Sequence, residues 1–111
     1  MALELLAEVP DVDAIVTSDD WLAFGVLDAM QNLEKEFPGD IAVVGYDNIE
    51  GMGVVPFDEP ILTTMYNPRR ELGIKAAEVM LQSLSEKKNE TISVWLHPEL
   101  VVRKTFPYQK K

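Results

Sequence analysis

The chain has no cysteine, so disulfides and thiolate metal sites are excluded. Its one histidine, His97, has no second histidine or cysteine to share a metal and reads as structural, so no metal is expected. Basic residues are scarce. Ten against 19 acidic ones leave a formal charge of -9, and a surface of that sign does not itself grip nucleic acid or an anionic membrane. No stretch is long and apolar enough to span a bilayer. Met1 to Glu8 places Leu3, Leu6 and Ala7 at helical spacing, yet lacks the basic start and long apolar run of a secretory signal. A cytoplasmic protein is the default expectation. A Gly-rich phosphate loop is missing, as is a serine with histidine and aspartate in a usable order, so no catalytic residue, no cofactor and no enzyme activity are expected.

What is present is an alternation of short apolar strands and amphipathic helices. At 111 residues and 47% hydrophobic content, the chain fits one small domain or a piece of a larger one. Val12 to Thr17 reads as a strand ending in Ser18-Asp19-Asp20, any of which can cap the next helix. That helix places Leu22, Val26, Met30 and Leu33 on its expected buried stripe, with Trp21, Phe24 and Asp28 on another flank. Phe37-Pro38-Gly39-Asp40 ends it and leads into Ile41 to Tyr46, an unbroken apolar run of the kind buried on both faces of a parallel sheet. Strand, helix and strand at this spacing form a right-handed βαβ unit.

Ile49 to Pro60 reads as a loop with one helical turn, and Ile61 to Tyr66 as a third strand. Asn67-Pro68 starts a helix carrying Leu72, Ala76, Val79, Met80 and Leu84 on one face. Glu86 to Glu90 is expected as a solvated turn. Thr91 to Leu96 and Leu100 to Arg103 are expected as β segments, followed by a basic tail.

The candidate site follows from where the parallel strands end, because open α/β sheets bind ligands outside those ends. Asp47 follows the strand through Gly45, which lets a ligand or backbone come close, and its carboxylate can accept from two hydroxyls. A helix-capping role is equally open to it. For Asp19 and Asp20, capping is the favoured reading, since acidic residues complement a helix N-terminus. Trp21 and Phe24 fit the core by their spacing, and their displacement from the main stripe leaves a partner contact as the second reading. Arg69-Arg70 opposes the dipole of its helix. An anionic partner would explain the pair, and a solvated pair is the commoner case.

Several segments resemble one family closely: the effector-binding half of lactose-repressor-type (LacI/GalR) bacterial transcription regulators. They are Pro10 to Ile15, Asp20-Trp21-Leu22-Ala23-Phe24-Gly25 with Leu27 and Ala29, Asp40 to Asn48, Pro60 to Thr64, Leu72-Gly73 and Pro98 to Thr105. The resemblance implies a partial three-layer α/β lobe of the type I periplasmic binding protein-like fold. It implies that residues 1–111 are the C-terminal lobe of a two-lobed effector domain, with about 66–90 belonging to the other lobe, and that the first lobe, hinge and DNA-binding helix-turn-helix are absent. The effector contacts it implies are Asp47, the carboxylate after Gly-Tyr, and the acidic pair Asp19 and Asp20, with Asp19 standing where Asn is frequent in the family. An ionised aspartate at Asp19 only accepts, so it favours donor groups on the effector. Trp21 and Phe24 become candidates for a two-fold interface.

The function implied is an effector-binding and dimerisation module, its ligand a sugar or nucleobase, acting as a homodimer and touching DNA only through the absent domain. The alternative is the sugar-binding component of a periplasmic transporter. A receiver-like phosphoryl-transfer domain, with Asp19, Asp20 and Asp47 around Mg²⁺, is weaker, because the lysine it needs is missing from the end of the Leu62 to Met65 strand.

Overall fold

The computed structural model describes residues 1–86 and 91–108. Most of the expected turn after Glu86, and the end of the basic tail, lie outside them. In chain order the elements are α1 (Ala2–Glu8), β1 (Ala14–Val16), α2 (Asp20–Asn32), β2 (Ala42–Tyr46), a 3₁₀ turn (Glu50–Met52), β3 (Thr63–Tyr66), α3 (Arg69–Glu86) and β4 (Glu99–Val101). They form two compact units, Met1–Tyr66 with Glu99–Lys111, and Asn67–Pro98. Among the described residues no helix is long and apolar enough to cross a membrane.

The first unit is an open, mixed α/β structure. Its sheet has the order β1-β2-β3-β4, with β1, β2 and β3 parallel and β4 antiparallel to β3. Ile15, Ile41, Val43, Ile61 and Leu62 meet Ala23, Phe24, Leu27 and Met30 of α2 in one core, and Leu6 of α1 joins them. The apolar run of β2 is not covered on both faces: Val43 and Gly45 are buried, whereas Ala42, Val44 and Tyr46 are half-exposed.

The buried face of α2 also differs from the expected stripe. Val26 and Met30 are buried as expected, but Ala23, Phe24, Leu27 and Ala29 complete the face, and Leu22 and Leu33 are exposed. The helix also stops before Phe37-Pro38. Glu34 adopts φ 54°, its N–H donates to the Gln31 carbonyl (3.1 Å) and that of Lys35 to the Met30 carbonyl (2.9 Å). This is a Schellman ending with glutamate where glycine is usual, so the sequence carries no clear stop signal there.

In the second unit α3 buries none of its residues. Leu72, Ala76 and Val79 line a groove of about 210 Å³ with Ile92, Val94 and Leu96. The strand expected over Thr91 to Leu96 does not form. Alternation supplies an apolar face, but strand geometry also needs a hydrogen-bonded neighbour, and this segment has none among the described residues.

Candidate functional site

Because β1 and β2 are parallel and Val16 pairs with Val44, both strands leave the sheet at the same rim. Asp19 follows Val16, and Asp47 follows Val44, by the same number of residues, so the two residues stand at the same rim of the sheet. Asp19 has extended backbone, φ -155°, and caps α2: its Oδ1 accepts from the Leu22 N–H at 2.9 Å. Its Oδ2 accepts from the Ser18 hydroxyl at 3.3 Å, and the side chain stays partly accessible at the rim. Capping thus occupies one oxygen of Asp19 and leaves the other near solvent.

Asp47 is half-buried at the end of β2, and its N–H donates to the Met65 carbonyl at 2.9 Å. Its φ is 114° and that of Asn48 is 55°. Two successive non-glycine residues in this region cost about 1–3 kcal/mol each, so the surrounding structure must hold them. It does so from below. The Asn48 N–H donates to Thr64 Oγ1 (3.3 Å), the Ile49 N–H donates to Asp20 Oδ2 (2.8 Å), and Thr64 Oγ1 donates to Asp20 Oδ1 (2.6 Å). On its other side, Asn48 Oδ1 accepts from Arg103 Nη2 at 2.7 Å.

Asp20, expected with Asp19 and Asp47 as an effector contact, is completely buried. Both of its oxygens are bonded inside the lobe, so it supports the rim rather than lining it. The same carboxylate explains Gly45. A Cβ there would fall well inside van der Waals distance of Asp20 Oδ1 and 2.9 Å from Leu62 Cδ2, so the space belongs to the protein's own aspartate, not to a ligand. With Asp20 facing inward, the three carboxylates are not grouped as Mg²⁺ ligands.

The two aromatic candidates part company. Phe24 is 7% exposed and lies edge-on to both Trp21 and Phe57, with ring centroids 6.0 and 6.1 Å apart, so its ring packs in the core. Trp21 is 62% exposed. With Val16, Thr17, Ser18 and Leu22 it borders a groove of about 450 Å³ against α1. His97 belongs to the second unit, whereas Asp19, Asp20 and Asp47 belong to the first.

Sequence reasoning missed Glu50 and Arg103. The Glu50 carboxylate is completely buried, accepts from the Ile61 and Leu62 N–H groups (3.1 and 2.9 Å), and pairs with Arg103 Nη1 at 3.4 Å. Arg103 Nη1 also donates to the Leu62 carbonyl at 2.8 Å. One signal was available in Gly51, where a Cβ would stand 2.5 Å from Asn48 Nδ2, so the loop must pack closely on the turn before it.

Residues 1–106 match the family profile described as a periplasmic binding protein-like domain. The HTH-type transcriptional repressor PurR of Vibrio vulnificus (strain CMCP6) is 37% identical over 106 residues, 95% of this chain and 31% of the repressor. Among solved structures, the transcriptional regulator CelR–cellobiose complex superposes with a TM-score of 0.80 at 27% identity, covering 94% of this chain and 31% of that one. The lac repressor dimer bound to operator and the anti-inducer ONPF gives 0.78 at 30% identity, over 95% and 35%. The chain therefore spans about a third of the length of the proteins it matches.

Proposed function

This chain belongs to the periplasmic binding protein-like domain family, and from that premise we propose that it is the C-terminal effector-binding lobe of a lactose-repressor-type transcription regulator. The observation that carries the reading is the shared rim. Asp19 and Asp47 leave parallel neighbouring strands side by side, and Asp47 sits in a turn of unfavourable backbone geometry that buried groups hold in place. Such a rim suits a small polyhydroxyl or nitrogen-rich ligand, because fixed carboxylates accept hydrogen bonds from its donors. A sugar or a nucleobase fits that description.

The rest of the reading extends to a longer protein. The second unit, Asn67–Pro98, is the part that would belong to the other lobe, which accounts for a helix with no buried face. Effector binding would favour one arrangement of the lobes by differential affinity and so alter DNA binding by a separate helix-turn-helix domain. The regulator reading is preferred to a transporter component because the relatives are transcriptional repressors and regulators. No step in this reading involves catalysis.

The test is thermal-shift screening against mono- and disaccharides, cellobiose among them, and purine bases. A ligand at a hundred times its Kd stabilises the state that binds it by about 2.7 kcal/mol, a readily measured shift. Asp47→Ala is expected to weaken binding of any hit about tenfold or more, the loss of a charge-assisted hydrogen bond. A hit that shifts wild type and variant equally removes Asp47 from the site.

Self-association belongs to the same proposal. The exposed indole of Trp21, with Val16 and Leu22 beside it, is an apolar surface offered to a second copy. Sedimentation equilibrium of Trp21→Ser should show a dimer weakened about tenfold relative to wild type, whereas an unchanged constant places the interface elsewhere.

A further inference from the structure

The effector reading assigns roles to the rim but none to Arg103, whose side chain is 15% exposed beneath it. We propose that Arg103 is a positioning residue that locks the Asp47-Asn48 turn and so fixes the direction in which the Asp47 carboxylate is presented. The inference rests on the effector-binding reading for its consequence, but not for its mechanism.

Three observations carry it. First, the turn needs a lock, because Asp47 and Asn48 both stand at positive φ. An unconstrained chain would leave that conformation. Second, the guanidinium divides its two terminal nitrogens between separate tasks. Nη1 is anchored on the Glu50 carboxylate and the Leu62 carbonyl, and Nη2 is thereby aimed at Asn48 Oδ1 at 2.7 Å. A planar fork suits this arrangement and a single ammonium does not.

Third, the arginine's own backbone is fastened. Its N–H donates to Thr63 Oγ1 at 2.7 Å, and its carbonyl accepts from the same hydroxyl at 3.0 Å. Thr63 begins β3 and is completely buried. The fork is therefore held at both ends of the side chain. Arg103 also stands just past β4, the strand by which the chain returns to the first unit after Pro98.

The test is amide hydrogen exchange by NMR on Arg103→Lys, with no ligand present. Lysine retains a cation for Glu50 but cannot also reach Asn48. The Asp47 and Asn48 amides, which donate to Met65 and Thr64, are expected to exchange about tenfold faster, with those of Ala23 to Met30 unchanged. Unchanged exchange at Asp47 and Asn48 overturns the proposal. So does a uniform rise across the first unit, which would make Arg103 a general stabiliser. Arg103→Met, which also loses the pairing with Glu50, should add faster exchange at the Ile61 and Leu62 amides, and a Met variant indistinguishable from Lys argues against the division of the fork.

Ligand titration separates this inference from the reading beneath it. Where a screened sugar or purine binds, Arg103→Lys should weaken it in proportion to Asp47→Ala. Selective loosening of the turn with undiminished affinity would leave the lock intact and remove Asp47 from the effector site.

Discussion

Glu50→Ala is expected to destabilise the first unit by about 4 kcal/mol, the largest effect of any single substitution considered. Its completely buried carboxylate serves the Ile61 and Leu62 N–H groups and the Arg103 guanidinium together. Alanine leaves two buried amides without their acceptor, at about 1–3 kcal/mol each, and a nearly buried cation without its partner. Glu50→Gln keeps the volume and one acceptor oxygen, so its loss should be roughly half as large. Urea unfolding followed by tryptophan fluorescence measures both. The chain has two tryptophans, and Trp95 lies in the second unit, so a Trp95→Phe background lets Trp21 report on the first unit alone. A loss below about 1 kcal/mol for the alanine variant would mean that water replaces the carboxylate freely, and the buried network would have to be redrawn.

Gly45→Ala should cost about 3 kcal/mol through overpacking. The added methyl meets the Asp20 carboxylate on one side and Leu62 on the other, and Asp20 cannot retreat without releasing both Thr64 and Ile49. The informative measurement is the double-mutant cycle with Asp20→Ala. That single change removes two hydrogen bonds by itself, yet it also empties the space that the new methyl needs. The pair should therefore fall short of additivity by about 1 kcal/mol or more. Strict additivity would show that the two positions do not share this space.

Much of the architecture was legible because it depends on local pattern. The strands around Ile15, Val43 and Thr64, the cap at Asp19 and the turn after Asn48 all lie where hydrophobic runs and capping chemistry put them. The support of the rim was not legible. Asp20 reaches Thr64 across 44 positions and Asn48 reaches Arg103 across 55, and a pattern of neighbouring residues carries no information on such pairings. Asp20 was expected at the surface for the same reason: an acidic residue opening a helix is ordinarily solvated, and only the fold reveals a buried hydroxyl and amide waiting for it. Phe24 went inward because α2 presents the side bearing Phe24 and Leu27 to the sheet, a rotation that helical spacing leaves undetermined. Thr91 to Leu96 shows the converse error, where a sound alternation lacked a strand to pair with.

The stretch after β4 looked like a charged trailer and is instead stitched through the sheet. Thr105 is completely buried: its hydroxyl donates to the Val43 carbonyl at 2.7 Å and accepts from the Thr63 N–H at 2.8 Å, while its backbone bonds Val43 and Ile61. These residues span the gap between β2 and β3 where each strand begins. Anyone trimming this polypeptide for crystallisation, or fusing a tag or reporter to it, should treat Thr105 as interior, because a cut ahead of it would unzip two strands from their base.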